Sequence, residues 1–129
     1  MKFLDGFTEQ SYALMRIMTG LLFMQYGTQK LLNFPSEFSR ELDGLMMAAG
    51  GIELVGGLLV AIGLATRPVA FICAGMSAVG YWLAHGMNDF FPINNGGTTI
   101  TLFCFAFLFI ATKGAGIWSA DAIMGKSES

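Results

Sequence analysis

Four ionisable side chains stand inside or at the edges of long apolar runs: Arg16, Lys30, Glu53 and His85. A charge inside a bilayer costs about 2.5–3.5 kcal/mol on insertion scales, so such groups pair, face a cavity or reach for the surface. Arg16 and Lys30 lie near opposite ends of one run and can extend their heads to water. Glu53 stands in the middle of the next run, without that escape, and is the most informative single residue. Spacing then groups them. Arg16, Gly20, Phe23, Gly27 and Lys30 share one helical face, Gly50, Glu53 and Gly57 a second, and Ala74, Ala78, Tyr81 and His85 a third. Small residues let helix backbones approach closely in lipid. A contact through Gly20, Gly27, Gly50 and Gly57 therefore buries Glu53 beside the stripe that carries Arg16 and Lys30. Arg16 is the expected partner of Glu53, because a guanidinium stays charged and offers a planar fork of donors, whereas Lys30 can reach water. Two readings of the Arg16, Lys30, Glu53 and His85 string stay open: a proton-handling network, or a buried ion pair that fixes helix register.

Other chemistries are disfavoured. A haem held between two histidines needs two of them, and this chain has one, which argues against haem in this chain alone. Cys73 and Cys104 are not a C-x-x-C pair and read as small core residues. The nine methionines are scattered through apolar runs and read as packing. Zinc spacing, a phosphate loop and a nucleophile elbow are all missing, so no metal site is expected.

The elements that must position these residues follow from the apolar runs. The chain has 129 residues, 54% hydrophobic and only 12% charged, against about 25% charged in an average soluble domain. The expected fold is all-α: a single membrane domain over residues 1–129 with four transmembrane helices, Tyr12 to Leu32, Leu45 to Ala65, Pro68 to Met87 and Thr98 to Thr112. The N-terminal residues lack a cleavage pattern, so the first run is expected to be a retained span. Gly63 and Thr66-Arg67-Pro68 predict a tight turn between helices two and three. Between helices one and two, Phe34, Phe38 and Leu42 recur every fourth residue, which fits a short interfacial helix or a plain loop. Lys2, Arg67, Lys113 and Lys126 fall on one side of such a bundle and Lys30 and Arg40 on the other, which predicts cytoplasmic termini in a plasma (inner) membrane. The lipid bilayer is the expected partner, and the lack of a basic stripe argues against nucleic acid.

The chain also carries a set of motifs in a fixed order: Arg16 followed by F-M-Q-Y-G-T-Q-K-L (Phe23 to Leu31), Glu53-Leu-Val-Gly-Gly, Gly63-Leu-Ala-Thr-Arg67-Pro, His85 with F-F-P-I-N-N-G-G (Phe90 to Gly97), and Gly114-Ala-Gly116-Ile-Trp118-Ser119-Ala-Asp121-Ala. In these it resembles, over nearly its full length, the DoxX family of small bacterial and archaeal membrane proteins. Two positions depart from that pattern. Tyr26 stands where members often have histidine, and Thr98 where they commonly have glutamate. The resemblance implies a four-helix bundle and an association with quinone-linked redox chemistry.

The leading expectation is thus a subunit or accessory of a quinone-linked oxidoreductase system, working with redox partner proteins or further copies of the chain. A quinone needs hydrogen-bond donors at its carbonyls and an apolar slot for its ring. His85, Lys30, Tyr26 and Asn95 are the donors to consider, Phe23, Phe90 and Phe91 the slot, and Glu53 the proton relay. The alternative class is non-enzymatic: a carrier of protons or a small solute, or a membrane anchor for a partner complex.

Overall fold

The computed structural model describes residues 1–36 and 43–125. Most of the segment read as an interfacial helix or loop, including Phe38, Arg40 and Leu42, lies outside these residues, as does Lys126. The described residues form helices joined by turns. A 3-10 turn (Lys2–Phe7) leads into α1 (Thr8–Leu32), followed by α2 (Gly44–Ile62) and α3 (Thr66–Tyr81). A π turn (Trp82–Gly86) extends α3, and short α4 (Pro92–Asn95) leads to α5 (Thr98–Lys113) and short α6 (Ala120–Ile123).

Local chemistry sets the ends. Asp43 caps α2 by accepting the Met46 N–H at 2.8 Å. Gly63, with φ of 73°, stops α2 at Ile62, short of the expected Ala65. The Leu64 N–H closes the helix end by donating to the Leu59 carbonyl at 2.9 Å. Pro68 occupies the third position of α3, where a backbone N–H has no partner inside the helix.

Glycine sets the tightest packing. Gly20 of α1 faces Gly57 and Ala61 of α2, and Gly27 faces Gly50 and Leu54. A Cβ on Gly20 would stand 2.6 Å from the Gly57 carbonyl, and one on Gly57 2.6 Å from the Gly20 carbonyl. These two helices therefore run backbone to backbone and antiparallel. α3 and α5 make the second intimate pair, and the two pairs meet mainly through α2 and α3. Between them lies a core of Phe23, Val60, Ala70, Cys73, Phe103, Phe107 and Ile110.

The outside of the bundle is as apolar as its core. Leu14, Met18, Val55, Phe71, Ile72, Val79, Leu102 and Phe105 are all exposed. α2, and α3 with its π turn, are each long and apolar enough to cross a bilayer, yet only 33% and 22% of their apolar stretches are buried inside the protein. The core helix of a soluble protein would be mostly covered by its own chain. Lipid is the solvent that suits these faces.

Candidate functional site

At one end of the bundle, the Gly27–Gly50 approach brings the last turns of α1 against the first turns of α2. This puts Lys30 across from Glu53, and Lys30 Nζ donates to Glu53 Oε1 at 2.7 Å, with both side chains largely buried. An ionised carboxylate taken out of water needs such a partner. The pair lines a cavity of about 430 Å³ that lies between the two helix pairs. Phe23, Tyr26, Met76, Leu83 and Phe103 give it apolar and aromatic walls, and His85 adds a further polar side.

His85 is held from behind. Its Nδ1 lies 3.0 Å from the Asn95 carbonyl oxygen. A carbonyl only accepts, so Nδ1 carries the hydrogen, and Nε2 is the polar atom the ring has left. Asn95 is in turn fixed: its Nδ2 donates to Tyr81 Oη at 2.9 Å and to the Asp89 carbonyl at 3.0 Å, and its Oδ1 accepts the Gly97 N–H at 2.8 Å. Asn95 thus positions His85 rather than lining the cavity. The π turn carries His85 itself, a widening of the helix that often marks functional sites.

The opposite end holds Arg16, and here the sequence-based expectation is corrected. Arg16 does not pair with Glu53 and does not reach for water: it is 0% exposed. Nε donates to the Val60 carbonyl, Nη1 to those of Ala115 and Ile117, and Nη2 to those of Ala61 and Trp118. The reason is distance and supply. Glu53 is level with Gly27, eleven residues along α1 from Arg16, about 16 Å of rise. Carbonyls with lone pairs to spare at the C-terminal end of α2 lie much nearer, and an arginine has five donors to give. Around it, Tyr12 Oη donates to the Gly114 carbonyl at 2.6 Å. The buried Asp121 carboxylate accepts the Ala65 and Thr66 N–H groups at 3.0 and 3.1 Å, capping α3 from more than fifty residues away.

Comparison with known proteins agrees with the family resemblance. The DoxX family model matches residues 11–86. The chain is also similar to an uncharacterized protein of Haemophilus influenzae, 35% identical over 125 residues, covering 92% of this chain and 93% of that one. The chain belongs to the DoxX family. No solved structure matches it. In this DoxX chain the motifs divide between the two ends: Arg16 and the Gly114–Asp121 tail build the closed knot, while the Phe23–Leu31 and Glu53 motifs meet at the cavity.

Of the residues singled out from sequence, Phe23, Tyr26, Lys30, Glu53 and His85 line one cavity, and Arg16 does not. Phe90 and Phe91 stand apart from it, 84% and 58% exposed, because the turn leading into α4 projects both outward. Sequence reasoning missed Gln29, Met46, Met76 and Thr99 in the wall. Gln29 sits within the quoted Q-K-L stretch and was findable there. Met46, Met76 and Thr99 carry no signal of their own in the sequence.

Proposed function

We propose that this DoxX protein is a single-domain, four-span plasma-membrane bundle with cytoplasmic termini, and that its cavity binds the ring of a lipid-soluble carbonyl compound of the quinone class as part of a quinone-linked redox system. α1 and α5 complete the four spans, although α5, with 16 residues, rises only about 24 Å. Arg67 and Lys113 sit together at the knot end, where Arg67 Nη2 donates to the Lys113 carbonyl at 3.4 Å, and this basic side supports cytoplasmic termini.

One observation carries the reading: a buried Lys30–Glu53 pair and a histidine with a committed Nδ1 share the wall of a mainly apolar, aromatic-lined cavity. Its volume is that of a site for a small organic ligand. The ammonium of Lys30 polarises a carbonyl set against the pair, Glu53 balances that charge, and Phe23, Tyr26 and Phe103 hold the ring. His85 Nε2 accepts the hydrogen of a hydroxyl on the reduced form. A carrier reading is less well supported, because the Phe23–Phe103–Phe107 cluster and the Arg16 knot close the far end of the bundle. Equilibrium binding of a tailless dimethoxybenzoquinone and its quinol to the protein in nanodiscs tests the reading. His85→Phe should weaken quinol binding about tenfold, the worth of one good hydrogen bond. Equal binding to wild type and variant, or none to wild type, would overturn it.

A further inference from the structure

A second hollow runs down the outside of the bundle, between α1 and α5. It measures about 300 Å³ and is lined by Met15, Met18, Thr19, Leu22, Leu102 and Ala106, together with Thr99 and Phe103. Thr99 and Phe103 also line the Lys30–Glu53 cavity, so two side chains are the wall between the two spaces. The groove starts at that wall. From Leu22 to Met15 on α1, and from Thr99 to Ala106 on α5, it leads toward the knot end over about 10 Å of helix rise. Its surface is almost wholly apolar, and Thr19 turns its hydroxyl onto the Met15 sulfur at 3.4 Å. Met18, Leu22 and Leu102 form an exposed rim on the face that lipid covers.

We infer that this groove is a tail site: the ligand of the cavity is a ring that carries a hydrocarbon tail, with the tail laid between α1 and α5. The inference rests on the ring-binding reading above and adds the class of molecule. Three features select this occupant. The groove abuts the cavity across Thr99 and Phe103, so a tail attached to a bound ring reaches it past these two side chains. It is open sideways to the bilayer, the phase from which a tailed molecule arrives. Its walls offer a hydrocarbon chain contact along its length and offer a polar ligand little beyond the Thr19 and Thr99 hydroxyls. A bulk lipid chain could lie in the groove, but it would place no group against Lys30, Glu53 and His85.

The test compares two probes in the same nanodiscs, a decyl-substituted dimethoxybenzoquinone and the same ring without the tail, by equilibrium binding. Ala106→Phe and, at the exposed rim, Leu22→Trp each fill the groove without touching the charged pair. Filling should cost the decyl probe about tenfold in affinity, as expected when roughly two methylene groups lose apolar contact, and leave the tailless probe within about twofold. Comparing variant with wild type for each probe cancels membrane partitioning. Two variants guard against one that fails to fold. If both probes bind and the filled groove changes neither, or weakens both alike, the tail site is wrong while the ring site stands. If neither probe binds wild type, both proposals fall.

Discussion

At the two ends of the α1–α2 pair, a buried cation is compensated in two different ways. Arg16 spends its donors on backbone carbonyls drawn from α2 and from the tail some hundred residues away, in a place sealed by Tyr12, Asp121 and Ser119. Lys30 is matched by a side chain, that of Glu53, at the wall of an open cavity that also holds a histidine. Both arrangements satisfy the rule that charge taken out of water must be compensated. They differ in what else they can do. A guanidinium saturated by main chain is bound into the fold, and a ligand cannot compete for it without dismantling helix ends. A side-chain ion pair at a cavity wall can rearrange around a guest. Prominence of a charged residue in the sequence therefore does not distinguish a structural charge from a ligand-facing one, whereas the nature of its partners does.

The largest expected effect falls on the knot. Arg16→Met strands several carbonyls and should lower unfolding stability in detergent by about 3–5 kcal/mol, and Arg16→Lys should not rescue it, because a lysine lacks the planar fork. Thermal unfolding of both variants checks this, and a lysine variant as stable as wild type would erase the contrast between the ends. Next comes the ion pair. Lys30→Met leaves Glu53 without that partner and should cost roughly 2–3 kcal/mol, while Lys30→Met with Glu53→Leu should recover most of it. Strictly additive melting temperatures would show that the two side chains do not support each other. Asp121→Ala should cost about 1–2 kcal/mol through the lost cap on α3, with faster hydrogen exchange at Ala65 and Thr66 as its local mark. The smallest effect is expected at Phe91→Ala, which should change stability by less than about 0.5 kcal/mol and leave ring binding unaltered. A clear binding loss there would put the exposed aromatic turn back into the site.

Much of this geometry was legible. The spacing of Gly20, Gly27, Gly50 and Gly57 is the spacing at which α1 and α2 touch, because close approach leaves a residue-type signature. Gly63 marked a helix end for the same kind of reason. The partners of Arg16 were not legible. They are carbonyls, which every residue has, and the fold alone brings residues 115–118 to them. Reading Arg16 as the mate of Glu53 followed side-chain charges only and overlooked the carbonyl acceptors at a helix end. Phe90 and Phe91 misled in a related way: aromatic residues near an interface have the composition of a binding slot, and only the direction of the α4 turn shows that they face outward. His85 and Asn95 were both picked out, but the hydrogen bond that makes Asn95 a support depends on the π turn, which helical spacing does not show.

The central claim, that the Lys30–Glu53 end binds a ligand while the Arg16 end holds the fold, is tested most directly by a ligand-induced thermal shift. Wild type and the Lys30→Met, Glu53→Leu double variant would be melted in nanodiscs with and without saturating decyl-substituted dimethoxybenzoquinone. Binding to the folded state alone raises stability by about 2.7 kcal/mol at a hundredfold excess over Kd. Wild type should therefore melt several degrees higher with the quinone, and the double variant, folded to a similar temperature without it, should not move. A double variant that shifts as far as wild type, or a wild type that does not shift, would contradict the account.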